Sequence, residues 1–119
     1  KTIAALLNTN GGNLLIGVAD NGDILGIELD QFENNDKFQL HLINFLKTNF
    51  GETVTANLTI EIIPTLELKT ICLIQCLPSK TPIFCKIKNG GEHFYVRTGP
   101  GTTQLPPSEL IQYVSNHFN

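Results

Sequence analysis

The sequence contains no methionine, and it opens at Lys1 directly into the apolar run Ile3-Ala4-Ala5-Leu6-Leu7, which has the look of a helix already under way. A chain that starts in this way is expected to be a fragment of a longer protein. Its apolar stretches are short: none approaches the roughly 20 residues of a membrane span, and the opening lacks the basic, apolar and small-residue order of a secretion signal. A soluble cytoplasmic protein with no membrane partner is therefore expected. Only three cysteines occur, Cys72, Cys76 and Cys85, all in apolar strand contexts without a nearby histidine pair, which argues against a disulfide framework and a zinc site and for buried reduced thiols. Phosphate-cradling signatures are also missing. Neither Gly-x-x-x-x-Gly-Lys-Ser/Thr nor Gly-x-Gly-x-x-Gly is present, and Gly11-Gly12 follows a helix instead of opening one. Nucleotide hydrolysis is set aside on that ground, and no cofactor or metal is expected.

What remains is the composition of one globular domain: 119 residues, 41% hydrophobic and 16% charged. Its organising stretch runs from Asn8 to Gly26. Gly11-Gly12 stands where a helix ends, and Leu14 to Val18 is too short for a helix and so apolar that it reads as a strand covered on both faces. Asp20-Asn21-Gly22-Asp23 supplies turn chemistry, and Ile24-Leu25-Gly26-Ile27 reads as the antiparallel partner of a hairpin.

Downstream, Asp30 to Asp36 reads as a polar linker whose Asn34-Asn35-Asp36 caps a helix from Asp36 to Asn49. Phe38, Leu42, Phe45 and Leu46 form its apolar stripe, His41 lies off that stripe facing solvent, and Gly51 ends it. Alternation from Thr53 to Ile62 predicts a strand with one wet face, closed by Pro64; Ile71 to Leu77 predicts a central strand; Pro78 to Pro82 breaks the sheet. Ile83 to Lys88 and His93 to Thr98 flank Gly90-Gly91. A two-residue turn there pairs Lys88 with His93, Lys86 with Tyr95 and Phe84 with Arg97, all on one face. Pro106-Pro107-Ser108 starts a last helix with Leu110, Ile111, Val114 and Phe118 as its buried stripe. The fold class expected is α+β, a mostly antiparallel mixed sheet covered by about three helices.

Charge is unevenly placed. Residues 1 to 52 hold three lysines against seven acids, whereas residues 69 to 97 hold Lys69, Lys80, Lys86, Lys88 and Arg97 against Glu92 alone. On the hairpin these cations interleave with Phe84, His93 and Tyr95, the pairing of positive charge with flat rings that single-stranded or RNA ligands reward. Periodicity alone reads the same face as an ordinary solvated one.

Two separated motifs resolve that ambiguity. Helix, Asn8-Thr9-Asn10-Gly11-Gly12, Leu14-Leu15-Ile16-Gly17-Val18, Asp20-Asn21-Gly22 and Ile24-Leu25-Gly26 closely resemble the opening of the Schlafen/AlbA-like domain, once described as a divergent AAA module. Phe94-Tyr95-Val96-Arg97-Thr98-Gly99, followed by Thr102 and Thr103, resembles its later motif, so the likeness spans nearly the whole chain. The resemblance implies a single DNA- or RNA-binding domain, part of a transcriptional regulator or helicase-related protein, tending to form a homodimer. Lys80, Phe84, Lys86, Lys88, His93, Tyr95 and Arg97 are the implied nucleic-acid contacts.

Two alternatives stand beside it. One is a Schlafen-type metal-dependent endoribonuclease, in which Asp20 matches an acid near the glycine-rich hairpin. The glutamates that would join it belong to a strand before Lys1, so no catalysis is expected of this fragment, and Asp20, Asp23 and Glu28 read first as turn acids. The other is a protein-interaction or dimerisation domain, which the acidic pI of 5.5 favours.

Overall fold

The computed structural model describes residues 1–30, 34–66 and 69–118. Among the described residues three antiparallel sheets and three α-helices build an α+β fold, as the sequence predicts. The first helix, α1 (Thr2–Leu7), is short but buries every residue from Ile3 to Leu7. Gly11 then takes φ +76° and donates its N–H to the Leu6 carbonyl at 2.8 Å, which turns the chain into strand β1 (Gly12–Ile16). A Cβ at Gly11 would lie 2.5 Å from the Cys76 carbonyl oxygen, so this turn needs both the left-handed φ and the missing side chain.

β1 lies at the edge of its sheet, and none of its residues is fully buried, contrary to the expectation that both its faces are covered. The principal sheet has the order β1, β3 (Thr70–Cys76), β2 (Leu58–Pro64), with Leu14 opposite Ile74 and Ile74 opposite Ile60. Leu15 is half exposed on its outer face. The hairpin expected between β1 and Ile24-Ile27 shrinks to one bridge, Val18 with Ile24. The reason is local: the N–H groups of Leu25 and Gly26 both donate to the Gly17 carbonyl, at 2.7 and 2.9 Å, so the chain folds back on itself before it can run alongside β1. It winds instead into a 3₁₀ turn at Ile27–Asp30.

Helix α2 (Asn35–Phe50) is capped by the Asn34 side chain, which accepts from the Lys37 N–H at 2.9 Å, and it stops at Gly51 with φ +104°. The caps expected from the sequence are thus the caps observed; the remainder of the predicted linker, residues 31–33, lies outside the described residues. Phe38 and Leu46 are buried, His41 is exposed, and Phe45 is exposed despite its place in the expected stripe. The predicted strand from Thr53 is corrected in its first half. Glu52–Asn57 is a 3₁₀ helix that buries Val54, and five alternating residues are too few to separate that turn from a strand.

β3 is central, as its near-continuous apolar run predicts. Cys72, Ile74 and Cys76 form its core face, with α1, Ile27, Phe38, Leu46 and Val54 packed over them. Burial raises the Cys72 thiol and pushes Cys76 up to about 11; all three cysteines are free.

The C-terminal third departs furthest from expectation. β4 (Cys85–Lys86) pairs β5 (Glu92–His93) with Cys85 opposite His93 and Lys86 opposite Glu92, across a turn in which the Ile87 N–H donates to the Gly91 carbonyl at 3.0 Å. His93 therefore meets a residue three positions from the expected Lys88, and an odd shift inverts the faces. β6 (Tyr95–Thr98) belongs to a different ribbon, with β7 (Gly101–Gln104). Helix α3 (Pro107–His117) closes the described chain, and none of its residues is fully buried. Ile111, expected in the buried stripe, is 72% exposed; the helix instead seats Tyr113 and the following Phe118 against the fully buried Phe94 ring, at 5.9 and 6.4 Å between centroids.

Candidate nucleic-acid interface

Arg97 is the best-defined cation of the basic segment, and its place is set by residues almost ninety positions away. Asn8, fully buried at the end of α1, donates through Nδ2 to the carbonyls of Ile83 (2.9 Å) and Tyr95 (3.0 Å), and its Oδ1 accepts the Ile83 N–H at 2.8 Å. Thr9 Oγ1 donates to the Ala5 carbonyl at 2.8 Å and accepts the Arg97 N–H at 2.9 Å. β6 turns Val96 and Thr98 toward β7 and leaves the Tyr95 carbonyl and Arg97 N–H on its other edge, so the Asn-Thr pair supplies the partners that a further strand would otherwise provide. The glycine-rich motif and the later motif are thereby parts of one structure. The sequence motif by itself gives the Asn8 and Thr9 side chains no role; a polar pair directly after the apolar run Ile3–Leu7 is the signal that marks them.

The Arg97 guanidinium reaches across the ribbon, Nη1 donating to Thr102 Oγ1 at 3.2 Å, which holds the half-buried side chain along the strand pair. Glu92 does not engage it: among the described residues the one ion pair is Lys47–Glu52, at 3.9 Å between the last turn of α2 and the 3₁₀ helix that follows. Lys80, Lys86 and Lys88 are exposed, Lys80 in the loop that precedes β4, Lys86 on β4 and Lys88 in the following turn. Lys86 faces Glu92 across the ribbon without closing a salt bridge.

The aromatic half of the expected site is placed otherwise. Phe84 leans on Phe94 at 5.3 Å between centroids, and Tyr95 is 7% exposed, its hydroxyl 3.1 Å from His93 Nδ1 and its ring 5.9 Å from Lys1 Nζ. The common face of Lys86, Lys88, Arg97, Phe84, His93 and Tyr95 does not form, because the strands that carry them do not pair in that register. What the structure brings together is Arg97 with Thr102 and Thr9, and His93 with Tyr95.

The acids of the first turn are separate from one another. Asp20 is exposed; Asp23 is held by Asn21, whose Nδ2 donates to it at 3.1 Å; Glu28 accepts the Thr70 N–H at 3.0 Å. Thr70, with Lys69 beside it, keeps the Glu28 carboxyl below its ordinary value. Among the described residues no three His, Cys, Asp or Glu side chains converge as metal ligands, and no helix is long and apolar enough to cross a membrane.

Comparison with known proteins agrees with the two-motif reading. No curated protein matches the chain. Among solved structures, the DIP2311 protein from Corynebacterium diphtheriae superposes with a TM-score of 0.64 over 98% of this chain at 19% identity, a likeness of fold. The chain spans 21% of the length of that protein. The Schlafen, AlbA_2 family profile matches residues 1–106, which takes in the Asn-Thr clamp, the glycine-rich turn and the whole β6–β7 ribbon, and the chain belongs to that family.

Proposed function

We propose that this domain binds nucleic acid through phosphate contacts made by Lys80, Lys86, Lys88 and Arg97, as one module of a larger regulator. The observation that carries the reading is the set of four cations between residues 80 and 97 with no carboxylate partner among the described residues. Unpaired lysine and arginine on loops and short ribbons can release the counterions of a phosphate backbone, which is where most sequence-independent affinity originates. Arg97 is the chain's only arginine; its planar fork suits bidentate phosphate contact, and the Thr102 bond occupies one of its five N–H donors. Membership of the Schlafen, AlbA_2 family is compatible with a nucleic-acid-related role.

Burial of Tyr95 and the packing of Phe84 on Phe94 shape the expected ligand preference. With those rings engaged in the protein, base stacking contributes little and discrimination among sequences is weak. Fluorescence anisotropy with labelled single-stranded and duplex oligonucleotides is the direct test. Arg97→Ala is expected to weaken binding to every sequence alike, while Lys47→Ala, on α2, leaves it unchanged. Equal affinity for wild type and Arg97→Ala contradicts the reading.

A further inference from the structure

We propose that α3 is a positioning element for Arg97, with Tyr113 and His117 holding the Arg97 backbone in place through Asn8 and Thr9. The family match stops at residue 106, one residue before α3 begins. The helix buries none of its own residues completely, so packing alone gives it a shallow seat. Its two inward polar groups nevertheless end on adjacent carbonyls of the clamp. The Tyr113 hydroxyl donates to the Asn8 carbonyl, and His117 Nε2 lies 3.0 Å from the Thr9 carbonyl. A carbonyl can only accept, so this contact is a hydrogen bond when His117 carries a proton on Nε2. The two rings stack, 4.9 Å apart and 20° from parallel, so that each restricts the other.

Both carbonyls lie just past the end of α1, where backbone oxygens lose their intrahelical partners. Holding the Thr9 carbonyl restrains the backbone of the residue whose side chain carries Oγ1. That hydroxyl has one proton, which goes to the Ala5 carbonyl, and its free lone pair receives the Arg97 N–H. The chain of contacts therefore runs from His117 to Thr9 to Arg97 without a gap, and the Tyr113–Asn8 bond steadies the neighbouring link to the Tyr95 carbonyl. Tyr113 and His117 touch no proposed ligand group; they act through the clamp. Their effect on binding rests on the phosphate-contact reading of Arg97, whereas their effect on the Arg97 backbone does not.

Amide exchange of the whole chain, followed by NMR, separates positioning from general stability. In Tyr113→Phe and in His117→Ala the Arg97 amide is expected to exchange about tenfold faster, the size of one hydrogen bond weakened, with the Ile74 amide in β3 nearly unchanged. His117→Gln, whose side-chain amide can still donate to the Thr9 carbonyl, is expected to restore slow exchange. An unchanged Arg97 amide in both variants, or Arg97 and Ile74 accelerating together, overturns the proposal. Anisotropy with a labelled oligothymidine is the second arm: the same two variants should bind about threefold more weakly, with a salt slope shallower by up to one unit. Variants that bind like a binding-competent wild type refute the link to the ligand. A wild type that binds no oligonucleotide refutes the phosphate-contact reading instead and leaves the exchange result to decide the positioning.

Discussion

Asn8 concentrates more of the fold than any other polar side chain described. Removing it leaves the Ile83 N–H and two carbonyls without partners inside the protein, each a loss of about 1 to 3 kcal/mol when water cannot replace the bond. Asn8→Ala is thus expected to lower stability by roughly 2 to 5 kcal/mol in urea denaturation. Asn8→Asp should be worse at neutral pH, because a carboxylate cannot donate to either carbonyl, and should recover partly on acidification as the carboxyl regains a proton. Thiol chemistry gives an independent check at the same scale. Cys76, pushed up to about 11 by burial, and Cys72 should react with a thiol reagent only on unfolding, whereas the half-exposed Cys85 reacts first. The same shift predicts the alkaline limb: the Cys76 contribution is present below the ordinary thiol value of 9.0 and is lost as pH rises through about 11. Glu28 acts at the other end. Its lowered pKa gives a contribution present above the ordinary carboxylate value of 4.5 and lost as pH falls through the lower folded value, so Glu28→Gln should flatten the acid limb of the stability profile.

At the scale of elements, glycines with positive φ are not equivalent. Gly11 combines φ +76° with a carbonyl oxygen 2.5 Å from a would-be Cβ, while Gly22 has φ +93° and nothing within 4 Å. Gly22→Ala should cost about 1 kcal/mol by thermal unfolding and Gly11→Ala roughly twice that or more, since only the latter adds a collision to the backbone strain. This contrast also marks how far the sequence can be read. The glycine after α1, the Asn34 cap of α2 and the apolar run of β3 were legible because each is a local requirement of a helix end or of a strand with neighbours on both sides. The β4–β5 register was not. A Gly-Gly pair fits a two-residue turn, but the chain closes a wider one from Ile87 to Gly91, and the single Phe94 between β5 and β6 passes the next strand to a new partner, β7. Tyr95 is buried together with its neighbours Phe94 and Val96, so the start of β6 is covered on both faces and the wet face expected there does not exist. Helix stripes failed for a related reason: Ile111 and Phe45 have the right spacing for an apolar face, and only the position of the neighbouring ribbons decides how wide that face is.

Taken whole, the molecule is long for its size. Its Cα radius of gyration is 15.4 Å with a longest extent of 48 Å, against about 13.5 Å for a compact chain of this length. Its exposed surface, 7721 Å², is correspondingly larger than the roughly 6,400 Å² of a tightly packed monomer of this mass. We expect a two-fold homodimer in solution, and light scattering at about 100 μM that gives a strictly monomeric mass contradicts it. The charge asymmetry along the sequence is not a clean division in space, since Lys69 of the basic segment donates to the Ile24 carbonyl and lies beside Glu28; the cations left for a ligand are Lys80, Lys86, Lys88 and Arg97. The most direct measurement is the salt dependence of oligonucleotide affinity for wild type and for the combined Lys80→Gln, Lys86→Gln, Lys88→Gln, Arg97→Gln variant. Four phosphate contacts on a single strand predict a log-log slope of about −3 for wild type, falling close to zero with loss of measurable binding in the variant. A wild-type slope near zero, or a variant that keeps both slope and affinity, would contradict the assignment of this basic segment as the nucleic-acid surface.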